Sequence, residues 1–267
     1  MDRVQGVTFF FSGARLFGIH SHVSEGASAL STYEGIPTGC RRGMVWIYLP
    51  MPRSDQLLVL GVRAKSSSSP CVNILIRTRL AGDVVIGQHS PGGVKDRCLG
   101  RSAPITLICG ESKVGFPVPH FGAYCQFSAD ARLPEPFPLA TSYHSLIGSD
   151  AYFSWASLSG ITSALTYYDS KTGFCRGILL QYDNGGARTL GQCRRQVDPA
   201  EEVYKTRMLC WRTEMYRSQR QRMVHRTQVR FQHDPQHEHD NKWKCHALEG
   251  VLHFWFTDEA TFLVVIN

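Results

Sequence analysis

A strand–turn–strand unit that occurs twice constrains this chain more than any other feature. Residues 74–89 read ILIRTRLAGDVVIGQH and residues 178–193 read ILLQYDNGGARTLGQC. In both, an apolar triplet leads into a glycine-containing turn, then a second strand, then Gly-Gln. Ile74 to Gly87 and Ile178 to Gly191 cover the same span, and each copy follows another apolar segment, Leu57 to Val62 or Ile161 to Tyr168. Self-similarity at matched offsets marks a repeated supersecondary unit. Ala81-Gly82-Asp83 and Asn184-Gly185-Gly186 tolerate positive φ in a tight turn, so each unit reads as a β-hairpin. A third hairpin is expected at Val7 to Phe11 and Leu16 to Ile19, turning at Ser12-Gly13. A fourth is expected at Gly250 to Phe256 and Phe262 to Ile266, turning at Thr257-Asp258-Glu259. Hairpins at this spacing predict a mainly β chain of antiparallel sheets, of β-prism, sandwich or barrel type.

With 267 residues, the chain is long enough for one large β domain or two small ones. The segment LPEPFP, Leu133 to Pro138, opposes helix and central strand alike. It is the expected boundary between a first half, 1–133, and a second, 139–267, unless the two are integrated into one domain. The hydrophobic fraction of 43% against 19% charged residues is that of a globular chain. No apolar run reaches the roughly 18 to 20 residues of a spanning helix, and the opening residues do not resemble a secretory leader. A cytoplasmic location is therefore expected, with no membrane partner. The nine cysteines are odd in number and include no C-x-x-C pair. They read as buried thiols in a reducing compartment, with no cofactor or metal centre expected.

One segment departs from the β pattern. Asp198-Pro199-Ala200-Glu201 has the form of a helix start: an N-cap, a proline at the first helical position and a capping-box Glu. Val203, Met208, Trp211 and Met215 follow at loose helical spacing. A basic helix over 199–220 is predicted. Charge concentrates there too: Lys205 to Arg230 carries a net +7, which equals the formal charge of the whole chain.

The phrase ITSALTYYDSKTGFCRGILLQYDNGGARTLGQ resembles the repeating unit of jacalin-type β-prism lectins. With the start VTFFFSGARLFGIHSH and the ending ALEGVLHFWF, it also resembles a broad group of filamentous-fungal proteins that carries no assigned activity. The lectin resemblance implies a β-prism fold and a sugar loop of the form G-x-x-x-D. Gly92 to Asp96 has that form, so Gly92 and Asp96 are the ligand-binding residues it implies. A surface loop with an Asp turn is the alternative.

Three other groupings can carry chemistry. His20-Ser21-His22 follows the first hairpin, and residues two apart on a strand share a face. With Glu25 they would form a His/His/carboxylate set suited to acid–base work or a divalent ion. His20, His22 and Glu25 are accordingly the candidate catalytic residues; a hydrogen-bonded pair at a strand end is the structural alternative. His89 ends the first repeat's Gly-Gln-His. The loop His233 to Asp240 is rich in ligand types but Pro-broken, and reads as an adventitious metal-binding loop. Arg212, Arg217, Arg220, Arg222 and Arg226, with Arg230, Trp211 and Tyr216, are the candidate nucleic-acid contacts, transfer RNA being the partner considered. The alternative is a solvated face whose arginines pair with acids elsewhere.

The chain lacks a phosphate loop, a G-x-G-x-x-G turn, a G-x-S-x-G elbow and an H-E-x-x-H helix. That argues against a P-loop nucleotidase, a Rossmann dehydrogenase, an α/β hydrolase and a zincin. Two readings of different class stay open. One is a lectin-like β-repeat module whose ligand is a glycan; it implies a shallow site at the loop ends, no turnover and multivalency, a homodimer included. The other is an enzyme of fungal natural-product biosynthesis using acid–base chemistry on a small intermediate. A variant of the second binds aminoacyl-tRNA through the arginine segment.

Overall fold

The computed structural model describes residues 4–24, 26–64, 72–90, 93–102, 104–111, 113–125, 135–138, 147–234 and 239–267. The chain divides into two compact units, 1–144 and 145–267. Antiparallel sheet dominates both.

In the first unit, strands β1 (Gly6–Ser12), β2 (Arg15–His22) and β3 (Val45–Pro50) form a sheet in the order β2-β1-β3. Between β2 and β3 lie two short helices, α1 (Leu30–Gly35) and α2 (Thr38–Arg41). The FFF run forms the middle of β1, and Phe9, Phe10 and Phe11 are all fully buried. Successive side chains of a strand point to opposite faces, so this central strand is covered on both. A four-stranded sheet follows, from β4 (Leu57–Ala64), β5 (Val72–Thr78), β6 (Gly82–Ile86) and β7 (Lys95–Arg101), in the order β6-β5-β4-β7. A hairpin, β8 (Ile105–Cys109) with β9 (Phe121–Cys125), completes the unit.

The second unit begins with β10 (Tyr152–Ser157). Its four-stranded sheet comprises β11 (Ile161–Tyr168), β12 (Cys175–Tyr182), β13 (Ala187–Gly191) and β14 (Ala200–Tyr204), in the order β13-β12-β11-β14. Next come β15 (Met208–Arg217), β16 (Met223–Gln232) and β17 (Lys244–Ala247), ordered β16-β15-β17. The closing strands β18 (Val251–Phe256) and β19 (Thr261–Ile266) join β10 in a sheet ordered β10-β18-β19. The three sheets of this unit pack against one another in every pairing.

The repeat seen in the sequence is a repeat of register. Ile74 pairs with Ile86 and Leu75 with Val85 in the first unit; Ile178 pairs with Leu190 and Leu179 with Thr189 in the second. Even the irregularity is shared: pairing shifts between Leu57 and Val59 on β4, and between Ile161 and Ser163 at the corresponding place on β11. Gly87 and Gly191, the glycines of the two Gly-Gln steps, both take positive φ, +131° and +69°. At Gly191 a Cβ would lie 2.5 Å from the Arg176 carbonyl oxygen. Only glycine meets the two demands together.

The two units differ by a permutation. The hairpin that opens the first, β1–β2, occupies the place in its sheet that β18–β19, the hairpin closing the second, occupies beside β10. All four hairpins expected from the sequence are present.

The helix expected over 199–220 does not form; β14 and β15 occupy that segment. Asp198 does not cap a helix. Its carboxylate lies 3.4 Å from both Arg176 and Arg194. The β11 edge captures residues 200–204, beginning with the Pro199 carbonyl, which accepts the Tyr168 N–H at 2.9 Å. Lys205 then takes φ +49°, which ends any continuous helix. Tertiary pairing overrides a good local capping signal here. No helix among the described residues is long and apolar enough to cross a membrane.

Candidate functional site

His20 and His22 lie side by side at the end of β2. Both rings point to one face of β2, with centroids 4.8 Å apart in an edge-to-face arrangement. His22 is fully buried. Its Nδ1 lies 2.9 Å from the Ala27 carbonyl and its Nε2 2.8 Å from the Thr8 hydroxyl. A carbonyl only accepts, so Nδ1 carries the proton and Nε2 accepts from Thr8. Both ring nitrogens of His22 are thereby engaged, whereas the Nε2 of His20 is buried with no hydrogen-bond partner among the described residues. His20 Nδ1 meets the Thr32 hydroxyl at 2.8 Å, tying β2 to α1. Glu25, the third residue of the expected set, lies outside the described residues, and no metal-donor group among those described includes His20 or His22.

Burial lowers the pKa of His20 from its ordinary 6.5, and does the same at His89. A histidine depressed in the folded state is protonated more readily in the unfolded chain. The unfolded state therefore gains protons first as pH falls below about 6.5. The expected result is a first unit at full stability above that pH that loses stability as pH drops through the lowered folded values. Denaturant midpoints between pH 7.5 and pH 5 check this. His20→Gln is expected to flatten the slope.

Asp96 of the G-x-x-x-D match lies on β7 directly opposite Arg63 on β4. Its two carboxylate oxygens accept from Arg63 Nε at 2.7 Å and Nη2 at 2.8 Å. Arg63, only 3% exposed, also donates to the carbonyls of Phe137 and Pro138. The carboxylate thus holds a buried guanidinium and the interior of the unit with it. Gly92 lies outside the described residues.

The arginine segment is the β15–β16 hairpin. Arg212 donates to Gln228 at 2.7 Å and faces Asp240 and Glu214, each at 3.4 Å. Arg220 pairs with Asp258 at 2.7 Å. Arg226 donates to the Glu259 carbonyl and lies over the Tyr216 ring, 4.4 Å from its centroid. Arg217 and Arg222, beside the turn, are exposed. Arg212 and Arg220 thus meet carboxylates and Arg226 a carbonyl and a ring, while Lys205, Arg207 and Arg230 are exposed along with Arg217 and Arg222.

An open groove lies elsewhere, across β11, β14 and β16. It has a volume of about 420 Å³ and is lined by Thr166, Tyr168, Glu201, Val203, Arg230, Phe231, Gln232 and His233. Residues two apart supply each wall: Thr166 and Tyr168 on β11, Glu201 and Val203 on β14, Arg230 and Gln232 on β16. The Tyr168 hydroxyl donates to the Val229 carbonyl at 3.2 Å and approaches Glu201 at 3.4 Å. Burial, with the Cys175 thiol and the Glu201 carboxylate nearby, pushes its pKa well up, so it stays a neutral phenol at any working pH. It is a hydrogen-bonding group and no base. The sequence does not disclose this groove, because Glu201 stands in a capping-box pattern and Arg230 in a run of charge. The T-Y-Y end of the repeat was the one signal available.

A smaller cleft of about 20 Å³ beside Asp169, Arg176, Arg226 and Glu259 is crossed by their own ion pairs and hydrogen bonds. No family model matches the chain, and no curated protein is similar to it in sequence.

Proposed function

We propose that this chain is a lectin-like β-repeat binding module whose ligand is a glycan, held in the groove across β11, β14 and β16. The observation that carries the reading is the groove's lining: a carboxylate, a guanidinium, an amide, an imidazole and a phenol converge on one open face. Such planar polar groups match the vicinal hydroxyls of a saccharide. The resemblance of residues 161–192 to the jacalin-type repeat, and three mutually packed antiparallel sheets in the second unit, support a β-prism relationship. The enzyme reading loses support at His22, which has both nitrogens engaged. The tRNA reading loses support at Arg212, Arg220 and Arg226, which bind the protein itself.

Binding of the full chain to a panel of immobilised oligosaccharides tests the proposal. At least one glycan class is expected to bind. Glu201→Gln and Tyr168→Ala are each expected to weaken it tenfold or more, about 1.4 kcal/mol. Arg217→Ala, remote from the groove, is expected to leave it unchanged. RNA binding that falls steeply with salt and needs Arg217 and Arg222, with no glycan bound, would overturn the reading.

A further inference from the structure

We propose that Cys210, His239 and Cys245 form a binding site for a thiophilic divalent metal ion, zinc in particular, which adjoins the groove at Arg230. Cys210 on β15 and Cys245 on β17 are directly opposed in the ladder, and their thiols hydrogen bond to each other. His239 joins them from the segment leading into β17. The two sulfurs and one ring nitrogen all lie within 4.8 Å of one another. In a tetrahedral zinc site with Zn–S bonds of about 2.3 Å, two sulfurs sit about 3.8 Å apart. Closing the group onto an ion therefore needs a contraction on the order of 1 Å. A change of rotamer at Cys245, which is exposed, can supply it, whereas Cys210 is fully buried and anchors the site.

The surroundings hold the histidine in place. Its ring stacks on Trp243 with centroids 4.8 Å apart and planes within 14°. Trp243 in turn carries the guanidinium groups of Arg212 and Arg230 at 5.3 and 5.0 Å from its centroid. The turn that brings Trp243 back is closed by its own N–H donating to the Asp240 carbonyl at 3.1 Å, and by the Lys242 N–H donating to the Asp240 carboxylate at 3.0 Å. Packing and turn chemistry thus orient the ring, the part that outer-shell groups play at metal sites.

Two thiols and an imidazole are the donor set that favours zinc over oxygen-seeking ions. On binding, both S–H bonds break, two S–metal bonds form and the two protons pass to solvent; no electron is transferred. Arg230, opposite Cys210 in the ladder, offsets the thiolate charge. Three protein donors leave one tetrahedral position for a further ligand, and among the described residues no fourth Cys, His or carboxylate belongs to the group.

The test uses the untagged full chain, purified under reductant without chelator. Elemental analysis is expected to find zinc in a one-to-one ratio to protein. Replacement by Co²⁺ is expected to give tetrahedral visible bands with sulfur-to-cobalt charge transfer. Cys245→Ser alters an exposed side chain, so it is the variant expected to fold. It should lose the charge-transfer band and bind at least tenfold more weakly, and His239→Gln should weaken binding while keeping thiolate character. A reduced chain that stays metal-free overturns the proposal. So does a cobalt spectrum without thiolate bands, or one unchanged in Cys245→Ser, which would place the ion in the neighbouring histidine loop. A Cys210–Cys245 disulfide that forms even with stoichiometric zinc present also overturns it.

Discussion

Asp96→Ala is expected to destabilise the first unit by about 3 to 5 kcal/mol, because it strands a buried guanidinium. Arg63 is 4% exposed at its side chain and Asp96 20%, so water screens the pair little. The bidentate geometry, at 2.7 and 2.8 Å, is that of a strong charge-assisted contact. The carbonyls of Phe137 and Pro138 take further donors of Arg63 but carry no opposing charge. Replacing both partners is a different experiment. Arg63→Met with Asp96→Leu removes the charge along with its counter-charge, and is expected to recover most of the lost stability. Hydrogen exchange of β4 and β7 reads the result. The same variants separate two roles for Asp96. A sugar ligand would change binding and leave exchange alone, whereas an interior counter-ion would do the reverse.

Gly191→Ala is expected to destabilise the second unit by about 3 kcal/mol, the sum of a left-handed backbone penalty and overpacking. An added Cβ would meet the Arg176 carbonyl oxygen at 2.5 Å and the Phe254 ring at 2.7 Å. Neither can withdraw easily, since Arg176 lies in β12 and Phe254 is fully buried in β18. Gly173 isolates the two contributions. Its φ is +70° against +69° at Gly191, yet nothing lies within 4 Å of its Cβ position. Gly173→Ala is therefore expected to show the backbone penalty alone, about 1 kcal/mol. Equal losses at the two sites, measured by denaturant unfolding, would refute the overpacking account.

Local features of the chain were readable wherever the physics is local. The hairpins could be read because glycine turns and apolar triplets are short-range signals, and the matched copies at Ile74 and Ile178 reinforced each other. The shared face of His20 and His22 follows from strand periodicity alone. Their role does not, because it depends on Thr8, Thr32 and Ala27, which adjoining elements bring in. The segment after Asp198 misled for the same reason. Its caps favour a helix, but the open β11 edge offers a full ladder of hydrogen bonds, and that edge is invisible in the local sequence. The groove draws on three strands, with Tyr168, Glu201 and Arg230 far apart in the chain. The donor group at Cys210 joins residues across a ladder, so a search for closely spaced cysteines passes over it.

The most direct test of the binding account is amide chemical-shift mapping of the isotopically labelled full chain, titrated with the tightest oligosaccharide from the panel. The account predicts saturable shifts at Thr166, Tyr168, Glu201, Arg230 and Gln232, with β1, β2 and the β15–β16 turn unmoved. Shifts centred on His20 and His22, or on Arg217 and Arg222, with the groove silent, would contradict it.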